Sequence, residues 1–338
     1  MSDFQKKLEE KVRKQLSSQR VGYLLGAGSS YLNGNGYPLM TNLWDLICGA
    51  ILPDKRAEIQ AKLDAGADGI EAALDLLDDG GIHETPHRHL VTEAIAEHFC
   101  RLAPALDVHT NFLKRISQRS DEVIPIFNLN YDPLLERAAE ISRIRLIDGF
   151  IGAEHAYYDP TIFQQRLGVV HRSWRGRHFN IIQGTIHLYK LHGSLGWYES
   201  KSTGVRRCGF ALPVPADAKR LMIPPQRRKA TDTISNPYSS LWTELIAFIR
   251  HGPFLVNRIV SIGYGMRDEH VNDVIENGLA RKDLTLIICA RDLREEVFTR
   301  WSKKKNVIVI TKQQCSLNGE IGSGHPNLWD FEQLSQEV

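Results

Sequence analysis

The chain has 338 residues, 42% of them hydrophobic, and a formal net charge of +2 at pH 7. That length supports one large domain with insertions, or two domains, and the balanced charge argues against bulk electrostatic attraction to nucleic acid or a membrane. Five cysteines (Cys48, Cys100, Cys208, Cys289, Cys315) stand far apart with no C-x-x-C pair, which argues against a disulfide scaffold and a cysteine zinc ribbon.

Phe4, Leu8, Val12 and Leu16 recur at helical spacing and predict an N-terminal helix within residues 1–19. That segment is charged, without an apolar h-region, and no run approaches the roughly 20 apolar residues that span a bilayer. A cytoplasmic protein is expected. Val21 to Leu25 read as a buried strand entering Gly26-Ala27-Gly28. A helical pattern then occupies about 43–118, punctuated by Pro53, Gly80-Gly81, Pro86 and Pro104.

Strand "EVIPIFNLN" (122–130) runs into helix "YDPLLERAAE", and "RIRLIDGF" predicts a third strand. Residues about 150–235 read as a loop-rich insertion with basic stretches (171–179, "HRSWRGRHF", and 226–229, "QRRK") and two β-like runs, "FNIIQGT" and "HLYKLHGS". The final third alternates helix and strand as far as about residue 315, leaving 316–338 as a tail.

Near-continuous apolar strands alternating with helices predict an α/β fold, a Rossmann-like parallel sheet covered on both faces, with a helical insertion or cap and no zinc module. Residues 20–315 would form this domain. Ligands in such sheets bind beyond the carboxyl ends of the strands, so four strand-end loops matter: "GAGSS" (26–30), "NLNYD" (128–132), "LHGS" (191–194) and "SIGYGMRDEH" (261–270). Each alone has a plainer explanation. A lone G-x-G is more often a tight turn, Asp132 and Asp268 can be helix caps, and His192 can be a turn histidine. Together they would converge on one edge of one sheet.

Gly26-Ala27-Gly28-Ser29 with Gly36-Tyr37-Pro38, then Asn130-Tyr131-Asp132, Leu191-His192-Gly193 and Gly263-Tyr264-Gly265 resemble, in order, the motifs of the sirtuin family. The resemblance covers roughly residues 18–312. It implies an NAD-binding Rossmann-like fold that breaks the nicotinamide–ribose bond, with Asn130, His192 and Asp132 catalytic. Gly26, Ala27, Gly28, Ser29, Ser30, Pro38, Thr41, Gly263, Tyr264 and Asp268 would bind NAD, and no metal is implied.

The departures are informative. The two C-x-x-C pairs of deacylating sirtuins are missing, and Leu39-Met40-Thr41 replaces their D-F-R. Sixty-two residues separate Asn130 from His192, far more than in sirtuins. "LHGSLGW", "LMIPP" and "IGYGMRDEHVND" look instead like the bacterial sirtuin-like branch of antiphage defence, although Gly265 replaces a serine of its fourth motif. That branch implies NAD hydrolysis to nicotinamide and ADP-ribose in abortive infection, with homo-oligomerisation and a HerA-type ATPase partner. A membrane or direct nucleic-acid partner is not expected.

Leaving as a neutral amine, nicotinamide departs through an oxocarbenium-like state. Asn130 can hold ribose and water through its amide, His192 can take a proton near neutral pH, and Asp132 would orient the loop. Two alternatives remain open: transfer to an acceptor other than water (deacylation or ADP-ribosylation), and a non-catalytic NAD or ADP-ribose module. His83, His87 and His89 with Glu84 and Glu93 resemble no recognised metal-ligand spacing.

Overall fold

The computed structural model describes residues 2–78, 86–174, 176–210, 212–215, 217–222 and 235–337. Its centre is a nine-stranded sheet. Val21–Leu25 (β1), Val123–Asn128 (β2), Leu146–Ile147 (β3), Thr185–Lys190 (β4), Arg258–Ile262 (β5), Thr285–Cys289 (β6) and Val307–Ile310 (β7) pair in parallel. Gln314–Leu317 (β8) and Glu320–Ser323 (β9) extend one edge antiparallel, giving the order β9-β8-β7-β6-β5-β1-β2-β4-β3.

Strands buried on both faces have no polar side to show, which is why these runs lack alternation. Leu24, Phe127, Tyr189 and Ile288 point into one core, while Tyr23, Leu25, Ile126 and Leu188 point into the opposite one. Helices cover both. The second core is closed by Asp3–Leu16 (α1), whose start is fixed by a Ser2–Gln5 capping box, and by Asp107–Ile116 and Leu134–Ile141. Tyr238–Ile246, Glu269–Gly278 and Glu295–Ser302 close the first.

Between β1 and β2 the chain leaves the sheet as Ala27–Tyr31 (α2) and then builds a helical cap. Met40–Ile47 (α3), Pro53–Asp64 (α4), Gly69–Leu77 (α5) and Pro86–Cys100 (α6) form it. The cap has its own core, including Leu43, Ile47, Ile59, Leu74 and Ile95, which also takes in Leu134, Leu195 and Met222. Leu134 follows Asp132 and Leu195 follows His192, so this third core sits against the carboxyl edge of β2 and β4.

The stretch read as loop-rich holds more strand than periodicity suggested. Phe150–Ile151, Ala156–Tyr158, Gly193–Ser200, Gly204–Arg207 and Ala218–Met222 make a five-stranded antiparallel sheet, and Gly168–Ser173 with Gly176–Ile181 make a separate hairpin. "RIRLIDGF" splits between the two sheets at Gly149, whose φ of +90° turns the chain. "QRRK" lies outside the described residues, as do Gly80, Gly81, His83 and Glu84. Among the described residues no helix is long and apolar enough to cross a membrane.

Candidate active site

Sheet register brings the four motifs together. Leu25 is aligned with Asn128 on one side and Ile262 on the other, and Asn128 is aligned with Lys190. The ladder continues past the strand ends: Leu129 N–H donates to the Leu25 carbonyl at 2.9 Å and Leu191 N–H to the Asn128 carbonyl at 2.9 Å. Gly26, Asn130, His192 and Gly263 therefore leave one sheet edge side by side, whatever their separation in sequence.

The glycine loop is packed against protein. A Cβ on Gly26 would lie 2.7 Å from the Tyr264 Cα, and one on Gly28 would lie 2.7 Å from the Gly263 Cα. Gly28 N–H donates to the Gly263 carbonyl at 2.8 Å. Sequence reasoning assigned these glycines to close approach of a ligand. The structure shows that they first allow close approach of the loop after β5.

The serines point inward. Ser29 Oγ donates to the Gly26 carbonyl at 2.8 Å, and Ser30 Oγ donates to Asp132 Oδ2 at 2.7 Å. Asn130 Nδ2 reaches the Gly26 carbonyl at 3.0 Å and Ser30 Oγ at 2.8 Å. An amide, a hydroxyl and a carboxylate thus form one buried relay from Asn130 through Ser30 to Asp132. Asp132 Oδ1 accepts from the Leu134 N–H at 3.1 Å, an i to i+2 turn bond at the entry to Leu134–Ile141, whose cap position is Pro133 and not Asp132 as expected.

Lys190, which the sequence reading passed over, lies beneath this loop with no exposed surface. Its Nζ donates to the carbonyls of Tyr131 (3.3 Å) and Asp132 (2.5 Å) and pairs with Glu136 Oε1 at 2.9 Å. A buried ammonium is tolerated only when its donors are filled and its charge is met. Here both conditions hold, and the result clamps the Asn130–Asp132 backbone. Ser194 Oγ adds a bond to the Tyr131 carbonyl at 3.2 Å. A charged residue inside the apolar run "HLYKL" was the available signal.

His192 is buried, and its Nε2 lies 3.1 Å from Asp268 Oδ2. Asp268 Oδ1 caps the helix beginning at Glu269 by accepting from His270 N–H at 3.1 Å. The Tyr264 hydroxyl fixes this turn, accepting from Asp268 N–H at 2.9 Å and facing Asn272 Oδ1 at 3.2 Å. Burial raises the pKa of the Tyr264 phenol well above 10, with the Asp268 charge acting in the same direction. Tyr131 is raised too, by burial first and then by Glu71 and Asp268. Both phenols therefore stay neutral. Gly193, at φ +78°, holds the turn after His192, where a Cβ would meet the Leu221 carbonyl oxygen at 2.2 Å.

Gly26, Ser29, Ser30, Asn130 and Asp132 form one cluster; His192, Asp268 and Tyr264 form another joined to it by the Gly28–Gly263 contact. Ala27 opens α2 beside them. Pro38 lies before α3, and Thr41 is exposed on its first turn. A cleft opens outward from Gly28 and Gly263 and is lined further by Asn33, Leu39, Arg291 and Asp330. The histidines near 87 do not gather: His87 Nε2 pairs with Glu58 at 2.8 Å, Glu93 holds Arg220, and His89 is exposed. Among the described residues no group of three or more His, Cys, Asp or Glu could hold a metal ion.

A family model described as a SIR2-like domain matches residues 125–310, more than half of the chain and inclusive of Asn130, His192 and Asp268. The chain belongs to the SIR2-like family. Among solved structures, this SIR2-like chain is similar to a Sir2 homologue–NAD complex at 13% identity, covering 97% of this chain and 94% of that one with a TM-score of 0.47. It is also similar to a Sir2 homologue triple mutant bound to 2′-O-acetyl ADP-ribose at 14% identity, with 97% and 96% covered and a TM-score of 0.44. No curated protein matches it.

Proposed function

We propose that this SIR2-like chain is an NAD⁺ glycohydrolase, breaking the bond between ribose C1′ and nicotinamide and adding water to give nicotinamide, ADP-ribose and a proton. The observation that carries the reading is the placement of a buried amide, Asn130, and a buried carboxylate-paired imidazole, His192, two residues past adjacent strands β2 and β4. Membership of the SIR2-like family supports it.

In this reading the cleft beyond Gly28 and Gly263 takes the adenosine and pyrophosphate half of NAD, beside Arg291. The ribose enters toward Asn130. Positive charge develops at C1′ as nicotinamide leaves with the bonding electron pair, and the Asn130 carboxamide orients the ribose and the attacking water. The His192 imidazole accepts the water's proton, and Asp268 balances the charge that results. Asp132 and Lys190 hold the loop and do not touch the reacting atoms. The protein acts as a cytoplasmic homo-oligomer that depletes NAD in antiphage defence and is released by a HerA-type ATPase.

The test is to incubate the purified chain with NAD, alone and with a candidate ATPase, and follow nicotinamide and ADP-ribose by chromatography. We expect equal amounts of both products. His192→Ala and Asn130→Ala should each lower the rate by about 10²-fold or more. Product release by His192→Ala equal to wild type would overturn the assignment. An ADP-ribose deficit matched by a modified acceptor would favour group transfer over hydrolysis.

A further inference from the structure

The Gly168–Ile181 hairpin pairs with no other strand among the described residues. Every residue from Gly176 to Ile181 is exposed, as are Val169, Val170 and, at 88%, Trp174. An isolated two-stranded hairpin is at best marginally stable in water, and this one displays apolar residues instead of blunting them. Its register sets Val170 opposite Phe179 and Arg172 opposite Arg177 on one face, and His171 opposite His178 on the other. Like charges placed directly opposite destabilise a strand pair. No Asp or Glu occurs between Asp159 and Glu199 to offset them. The arm therefore calls for a surface that is both apolar and acidic.

The same chain carries one. Of the fourteen large apolar side chains exposed among the described residues, six lie in or beside the hairpin (Leu167, Val169, Val170, Trp174, Phe179, Ile181) and three more, Leu46, Leu52 and Leu76, lie on the helical cap. Residues 43–78 of the cap hold eight Asp and Glu, of which Asp75 and Asp78 meet Arg88, Asp68 meets Arg294, and Glu58 meets Lys55 and His87, so the acidic character offered to a partner rests on Asp45 and Asp54. Asp45 and Asp54 are exposed close in sequence to two of those leucines.

We infer that the hairpin is a self-association arm whose Arg172, Arg177 and Trp174 dock on the Leu46–Leu52 region of the cap of a second copy of this chain. Opposite charge steers the encounter, and the apolar side chains on both surfaces supply the burial. Two different patches meet, so the contact is heterologous and propagates into a ring or a filament. Nucleic acid would account for the arginines. It would leave unexplained the Val170–Phe179 pair beside them and the leucines of the cap. The inference stands whether or not NAD is the substrate.

The test is sedimentation velocity on the full chain across a range of salt. We expect wild type to assemble beyond the monomer, and Arg172→Glu/Arg177→Glu to raise the dissociation constant at least about tenfold. Trp174→Ala should weaken assembly without changing its salt dependence. Asp45→Lys/Asp54→Lys on the cap should disrupt assembly like the arm variant. Mixing the two charge-reversed proteins should restore assembly, because each then meets a complementary surface on the other. The arm lies outside all three hydrophobic cores, so its variants should keep the wild-type melting temperature. A monomeric wild type, an unchanged mass for the arm variant, or no rescue on mixing would overturn the proposal. So would arm variants that keep their mass while losing affinity for duplex DNA.

Discussion

Asp268 uses its two carboxylate oxygens for different purposes: Oδ1 caps a helix, while Oδ2 meets His192 at 3.1 Å. Asparagine caps as well as aspartate but carries no charge. Asp268→Asn should therefore leave the melting temperature nearly unchanged while lowering kcat for NAD cleavage by about 10²-fold, with KM moving less. Asp268→Ala should add a loss of about 1 kcal/mol in urea unfolding. A kcat for Asp268→Asn near wild type would confine Asp268 to capping. The sequence placed both residues at strand ends, and Asp268 was legible as either a cap or a ligand-binding residue. Its pairing with His192 was not legible, because 76 residues separate them and only the adjacency of strand ends brings them together.

At the scale of elements, the site depends on how one loop is held from beneath. Lys190 is the last residue of β4 and reaches across to the loop after β2, where it donates to the Tyr131 and Asp132 carbonyls. Lys190→Met would leave Glu136 without its cation and the Asp132 carbonyl without its donor, while the Tyr131 carbonyl would keep the Ser194 hydroxyl and the Leu195 N–H. We expect a loss of about 3 kcal/mol in urea unfolding and a fall in NAD cleavage greater than the folded fraction accounts for. Adding Glu136→Leu should recover part of the stability and none of the activity, since the Asp132 carbonyl remains without its donor. The apolar run identified β2, whereas β4 read only as β-like because Thr185, His187 and Lys190 interrupt it, although all six of its residues are buried. Periodicity missed the five-stranded antiparallel sheet, where Gly193–Ser200 is mostly buried while Gly204–Arg207 is mostly half-buried and ends in two arginines.

The whole molecule carries an acid sensitivity built into its cores. Burial lowers the His109 pKa to about 4 and the His187 pKa to about 3, the latter helped by Arg166. Both lie below the unfolded value, so the unfolded chain binds protons first as pH drops. Stability is thus fully present above about pH 6.5 and is lost progressively as pH falls from there toward pH 4 and 3, on the order of 3 kcal/mol for His109 alone. Urea unfolding between pH 7 and pH 4.5 should show this slope, and His109→Gln should make it shallower. A slope unchanged by His109→Gln would place the acid sensitivity elsewhere.

The sequence by itself made the character of the sheet legible, because apolar runs too short for helices and bounded by turn residues are accommodated as strands covered on both faces. It also determined which loops to inspect, because small and polar residues clustered after those runs. The tertiary structure alone decided what those residues do to one another. Gly26 and Gly28 make room for the loop after β5, Lys190 supports the Asn130 loop from below, and Asp268 meets His192. Each of these contacts depends on strand order and register, which arise from packing between distant segments and leave no periodic trace in the chain.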